Sequence, residues 1–131
     1  FVATKHAADV ITAKLNKTYP SAPPIVALAF HADLAQAQRS HVLASFKDGL
    51  TQIVVATDVA ARGLHIEHLP VVVNYELPRS PKDYIHRIGR TGRAGAEGEA
   101  ISLISEEEEH HYGQHPAPTN DSSSGGLRLP Q

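Results

Sequence analysis

Four short, almost unbroken apolar runs constrain this chain more than any other feature. They are Ile25-Val26-Ala27-Leu28-Ala29-Phe30, Ile53-Val54-Val55-Ala56, Val71-Val72-Val73-Asn74-Tyr75 and Ala100-Ile101-Ser102-Leu103-Ile104. A continuous apolar run of this length is the pattern of a strand buried on both faces. Helical spacing fills the gaps. Thr4 to Lys17 carries Ala7, Ala8, Val10, Ile11 and Leu15, and Pro20, Pro23 and Pro24 stop it. Leu34 to Phe46 is helical again, with Asp33 placed to cap its start and Gly49 just past its end. A short helix is predicted to begin at Ser80-Pro81, where serine caps and proline suits the first helical position. Strands alternating with helices predict an open parallel α/β sheet. Ligands of such sheets sit outside the carboxyl ends of the strands, which here carry Thr57-Asp58, Glu76 and the loops around Arg62.

The chain has 131 residues, room for one domain with a real core. From about Gly113 the composition turns to Pro, Ser, Asn and Gly with almost nothing to bury, so 113–131 is expected to be a disordered tail. No apolar run is long enough for a membrane span, and no charged-then-apolar leader is visible. The absence of cysteine excludes disulfides and thiolate metal sites and agrees with a reducing, cytoplasmic setting. There is no methionine, and the opening Phe1-Val2-Ala3-Thr4 reads as mid-phrase, which suggests a fragment or processed product. Residues 1–105 hold eleven Lys or Arg against nine Asp or Glu, a balance of +2, before Glu106–Glu109 reverses the sign. That balance predicts no partner by itself, since nucleic-acid binding needs a local patch more than a total.

Three segments concentrate chemistry. In YIHRIGRTGRAG, Tyr84 to Gly95, Arg87, Arg90 and Arg93 stand three apart with no acid among them. Gly89 and Gly92 let backbone approach a ligand, and guanidinium presents a permanent charge on a planar fork of donors suited to phosphate. The plainer reading is a solvated basic loop; Tyr84, Ile85 and Ile88, which could anchor the segment on the sheet, favour a phosphate clamp. In VATDVAARGLHI, Val55 to Ile66, Thr57 and Asp58 follow a buried strand and Arg62-Gly63 pairs a cation with permissive backbone. Alternatively, Asp58 caps the next turn and Arg62 pairs with it. In HADLAQAQR, His31 to Arg39, Gln36 and Arg39 share one face near a helix start, where free amides favour an anion; a solvent-facing polar surface is the alternative. His110, His111 and His115 lack a second cluster and read as solvated surface rather than metal ligands.

Taken together, these motifs, with Gln52-Ile53-Val54 and the opening FVATK, resemble the second RecA-like domain of a DEAD-box ATP-dependent RNA helicase, from Phe1 to about Ile104. NYELPRSPKDYIHRIGRTGRAG is the most specific part and suggests the bacterial branch. The resemblance implies a RecA-like open parallel sheet with helices on both faces, spanning 1–112 as an N-terminally truncated helicase domain. It implies that Arg90 and Arg93 are arginine fingers reaching the ATP γ-phosphate, a role worth on the order of 10³–10⁵ in rate in other NTPases. His86 and Arg87 would organise the interdomain interface, and Gly63 would lie beside the nucleotide. Thr4, Arg39 and Thr57 would contact the RNA phosphate backbone, with Gln36, Asp58 and Arg62 in the same RNA-binding group.

One departure concerns His65, where the family usually has an acid that accepts hydrogen bonds from the ATP ribose. Neutral imidazole accepts one and charged imidazole none, so weaker nucleotide affinity with a pH dependence in the imidazole range is expected. Ala32 replaces a usual glycine and is expected to crowd its turn. Neither a GxxxxGK[ST] loop nor a DEAD-type carboxylate pair occurs in the sequence. ATP and Mg²⁺ would be held mainly by an N-terminal RecA-like domain of the same protein, and this chain alone is expected to be inactive as an ATPase, with no metal site of its own. RNA is the expected partner, and a monomer the expected state. A non-catalytic RNA-binding or protein-docking module derived from a helicase half is the rival reading, and the absence of a GxGxxG turn after the first strand argues against an ordinary dinucleotide-binding domain.

Overall fold

A computed structural model describes residues 1–18, 25–62, 66, 69–78, 80–91 and 98–104, together with the backbone of 126–128. The chain divides into two compact units, one formed by Val2–Leu64 and the other by Phe1 with His65–Gln131.

In the first unit, helix α1 spans Lys5–Thr18, strand β1 Ala27–Phe30, helix α2 Gln36–Lys47, strand β2 Ile53–Ala56 and the single-turn helix α3 Asp58–Ala61. β1 and β2 pair in parallel, Ala27 opposite Ile53 and Phe30 opposite Ala56. Val2 extends this edge by a parallel bridge to Thr57, and its amide donates to the Ala56 carbonyl at 2.9 Å. The core gathers Val2, Ala8 and Val55, with Ala7, Ile11, Leu15, Ala29 and Ile53 packed against them. Ala7, Ala8, Ile11 and Leu15 therefore form the buried stripe that their spacing predicts. Val10 does not join it, being 37% exposed. Asn16 secures the start of β1 with two bonds, Nδ2 donating to the Ala27 carbonyl at 2.9 Å and Oδ1 accepting from its amide at 2.8 Å.

The start of α2 differs from expectation. Its N-cap is Ala35, and the Gln38 side chain reaches back to accept from the Ala35 amide at 3.0 Å. Asp33 is instead taken by Lys5, whose Nζ donates to Oδ1 at 2.9 Å. The end agrees with expectation: Gly49 lies just past the helix at φ 76° and donates to the Phe46 carbonyl.

In the second unit, strand β3 spans Val71–Asn74, helix α4 Pro81–Ile88, strand β4 Glu99–Ser102 and strand β5 Gly126–Arg128. β3 pairs with β4 in parallel, and β4 pairs with β5 antiparallel. β5 lies inside 113–131, where composition predicted disorder; residues 105–125 and 129–131 are outside the described residues. β3 is not buried on both faces: Val72 and Asn74 are buried, while Val71 and Val73 are 43% and 39% exposed. Ser80 caps α4 as predicted, its Oγ accepting from the Asp83 amide, with Pro81 following. Among the described residues no helix is long and apolar enough to cross a membrane.

A Cβ at Gly49 would meet no atom within 4 Å, so Gly49→Ala bears only the backbone cost of the left-handed region. Urea unfolding is expected to show a loss of about 1 kcal/mol for Gly49→Ala, with Gly49→Asn close to the parent.

Candidate nucleic-acid interface

The carboxyl end of the β1–β2 pair collects the polar residues of the first unit. Phe30 and Ala56 are register partners, so the chain leaves both strands side by side, into His31–Ala35 and into Thr57-Asp58. Thr57 is 6% exposed and occupies the N-cap position of α3 without a side-chain capping bond; its amide donates to the Phe30 carbonyl at 3.3 Å. The cap position therefore belongs to Thr57, and Asp58 is the first helical residue, half-buried. Arg62 follows the last turn and is exposed, its amide donating to the Asp58 carbonyl at 3.0 Å.

Thr4 comes two residues after Val2, the bridge partner of Thr57, and so belongs to the same edge. Its Oγ1 accepts from the Ala7 amide at 3.1 Å and caps α1. That cap uses a lone pair and leaves the hydroxyl proton for a further acceptor. Arg39 is half-buried and folded back on the turn before α2: Nε donates to the Leu34 carbonyl and Nη2 to the Ala32 carbonyl, both at 3.1 Å. Two of its five N–H groups are thus spent in fixing the plane of the guanidinium. Gln36 is exposed one turn earlier, at the first position of α2. Ala32 is exposed, and the turn is closed by a bond from the Leu34 amide to the His31 carbonyl, 3.2 Å. The structure therefore brings Thr4, Gln36, Arg39, Thr57, Asp58 and Arg62 onto one unit.

Sequence reasoning missed Lys5 and Asp33 as a tie between α1 and this turn. The hydrogen bond from the Lys5 ammonium holds the exposed Asp33 carboxyl below the ordinary carboxylate value of 3.8 against an opposing desolvation, and the Lys5 charge adds to the lowering.

The basic segment of the second unit begins on α4. Ile88 anchors it, being 7% exposed, and Tyr84 is half-buried; Ile85 is 59% exposed and anchors nothing there. Gly89 ends the helix in right-handed geometry, φ −64°, so its role is not a positive φ. The chain then returns alongside Leu69, which bridges in parallel to Thr91. The Leu69 amide donates to the Arg90 carbonyl at 3.0 Å, and the Thr91 hydroxyl donates to the Leu69 carbonyl. The backbone of Arg90 is held while its side chain is half-buried.

Arg87 is 2% exposed. Nη1 donates to Asn74 Oδ1 at 3.2 Å and to the Glu76 carbonyl at 2.5 Å, and the guanidinium lies 5.2 Å from the Phe1 ring centroid. Asn74, fully buried, passes the connection to Ser102 Oγ at 3.2 Å. Asn74 had a signal in sequence: an amide inside an apolar strand must find partners if buried. His86 is exposed on the same helix. Arg93, Gly63 and His65 lie outside the described residues. Among the described residues no group of His, Asp or Glu could hold a metal ion.

Comparison with known proteins decides the family. Residues 1–95 match the model of the helicase conserved C-terminal domain. A solved C-terminal domain of the DEAD-box protein Dbp5 is 33% identical, with 88% of this chain and 69% of that one covered at TM-score 0.69. The chain belongs to the helicase C-terminal domain family, in its DEAD-box group. Its fold is RecA-like: a DEAD box protein from Methanococcus jannaschii, 40% identical, superposes on 87% of this chain and 30% of that one at TM-score 0.77. Among curated relatives, DEAD-box ATP-dependent RNA helicase 46 of Arabidopsis thaliana is 45% identical over 85% of this chain. ATP-dependent RNA helicase DBP2 of Meyerozyma guilliermondii is 49% identical over 81%. The chain spans only 16% and 18% of those two relatives. They are plant and yeast proteins, and the expected bacterial branch is not supported.

Two outcomes test this geometry. Arg87→Ala leaves the buried Asn74 amide without a donor, and a stability loss of about 3 kcal/mol in urea unfolding is expected. Arg87→Lys is expected to recover only part, because an ammonium lacks the planar fork. Asp33 has a lowered carboxyl pKa in the folded chain, so its tie to Lys5 contributes above the ordinary carboxylate range and is lost as pH falls through the lowered value. Carboxyl-detected NMR titration is expected to return Asp33 to its ordinary value in Lys5→Met; an unmoved Asp33 would remove Lys5 as the cause.

Proposed function

We propose that this chain is the C-terminal half of an ATP-dependent DEAD-box RNA helicase, with 1–112 as the helicase domain and 113–131 as its tail. The reading is supported above all by the first unit's edge, where parallel strand direction brings the segments that carry Thr4, Arg39 and Thr57 to the same end. A hydroxyl on a helix cap, a clamped guanidinium and a second hydroxyl suit phosphate oxygens and carry little capacity to read bases. Gln36, Asp58 and Arg62 border that edge. RNA is the partner, held by few phosphate contacts and therefore with strong salt dependence.

Arg90 and Arg93 are the arginine fingers. The anchored backbone at Arg90 fits that role, since a group that stabilises developing charge works best when its position is set beforehand. Arg87 contributes from inside, holding α4 on β3, and with His86 it organises the interface to an N-terminal RecA-like domain. Gly63 and His65 are this chain's contribution to nucleotide contact. ATP with Mg²⁺, carried mainly by that other domain, supplies the phosphoryl group whose transfer drives opening and closing of the cleft. This chain's residues orient the terminal phosphate and grip the RNA strand while a short duplex is disrupted. Alone, and as a monomer, the chain does not hydrolyse ATP.

RNA-stimulated ATP hydrolysis tests the proposal, measured on the chain alone and fused to the first domain of a close DEAD-box relative. The expected pattern is silence alone, activity on fusion, and a loss of about 10³-fold or more on Arg93→Ala, the scale of a missing arginine finger. Fusion that restores nothing while RNA binding persists replaces the enzyme reading with that of an RNA-binding module.

A further inference from the structure

His31 is 5% exposed, and both its ring nitrogens are engaged by different segments. Nε2 lies 2.8 Å from Asp9 Oδ1, on α1. Nδ1 accepts from the Asp33 amide at 3.3 Å, in the turn before α2. A carboxylate can only accept and an amide only donate, so this network assigns the proton to Nε2. The Asp33 N–H belongs to the same peptide group as the Ala32 carbonyl, and that carbonyl receives Nη2 of Arg39 at 3.1 Å. A peptide group is planar and turns as one body. The histidine on one edge of this plane and the arginine on the other therefore set each other's orientation.

We propose that His31 is a positioning residue for Arg39: it locks the Ala32–Asp33 peptide, and that peptide aims the guanidinium along the edge where phosphate is bound. The inference rests on the RNA-edge reading for its functional part and on geometry alone for its positioning part. Asp9 is the outer fastening. Its side chain is 62% exposed while that of His31 is 6% exposed, so Asp9 holds the ring from the solvent side. The chain of contacts then runs from α1 through Asp9, the imidazole and one peptide plane to Arg39. Lys5–Asp33 braces the same turn from the first residue of α1. Nothing in this chain of contacts requires His31 to touch RNA.

The test uses the full 131-residue chain, labelled with ¹⁵N. Imidazole ¹⁵N shifts are expected to show the Nε2–H tautomer for His31, and exchange of the Arg39 Nε–H with solvent is expected to be slowed by its bond to Leu34. In His31→Gln, and in Asp9→Ala where folding is not at stake, that exchange is expected to speed by about fivefold or more, the equivalent of one lost hydrogen bond. Binding of a fluorescent oligouridylate at low salt is expected to weaken by about fivefold in His31→Gln, again one hydrogen bond's worth. It is expected to weaken no further when His31→Gln is added to Arg39→Ala, because the two act as one unit. Unchanged Arg39 exchange in both variants, or an Nδ1–H tautomer, overturns the positioning role. Additive losses of RNA binding overturn the route through Arg39. If Arg39→Ala leaves RNA binding intact, the RNA-edge reading fails instead, and the exchange data still decide the positioning.

Discussion

Parallel pairing of β1 with β2 is the constraint from which the candidate interface follows. Parallel neighbours cannot be joined by a tight turn, so a helical crossover must return the chain to the same end of the sheet before the second strand begins. Here α2 makes that return. Because Phe30 faces Ala56, the segments that leave the two strands start side by side. The Val2–Thr57 bridge adds a third segment running the same way, and Thr4 leaves with it. An antiparallel pair of the same sequences would send His31 and Thr57 to opposite ends. Three polar segments far apart in sequence therefore share an edge because of strand direction, before any side chain is considered.

Much of this was legible in the residues. β2 spans the apolar run Ile53–Ala56, Ser80 caps α4, and Gly49 takes the positive φ beyond α2, each decided by a local rule. The failures share a cause. Asp33 has the chemistry of a helix cap, but its carboxylate is claimed by Lys5, 28 residues away, and Gln38 serves the helix start from within. Val71 and Val73 belong to an apolar run yet lie largely open, because burial depends on which elements cover a face and not on the strand's own composition. Arg87 looked like its neighbours in a basic series. Only the position of β3 turns it inward, onto an asparagine that local spacing does not connect with it. Local chemistry can be read along a chain, whereas the partner that wins a side chain is a tertiary outcome.

Both units use a buried polar group in the same way. Arg87 joins the end of β3, the Glu76 carbonyl and the Phe1 ring, and His31 joins α1 to the turn ahead of α2. Such groups are expensive to desolvate unless every donor and acceptor is met. An apolar residue of similar size could fill either place with less at stake. What it could not do is select one orientation of the adjoining backbone, since packing is tolerant of small rotations and a hydrogen bond to a peptide plane is not. In each case the adjoining backbone leads into a segment with an arginine proposed to meet phosphate: Arg39 in one unit, Arg90 in the other.

That arrangement bears on why the arginines need support at all. A guanidinium on three methylenes loses considerable rotamer freedom when it is fixed by a ligand, and phosphate contact must offset that loss each time it forms. Arg39 bears part of the loss in advance through its bonds to Ala32 and Leu34, so the plane of its guanidinium is already set. Arg90 has its backbone held by the Leu69 amide and by the Leu69–Thr91 bridge beside it, which fixes where its side chain starts. The difference matches the proposed tasks. An arginine proposed to grip a strand along its own unit gains from a plane fixed before the ligand arrives. The proposed finger has a phosphate of another domain to meet, and a backbone set beforehand fixes the root from which it reaches.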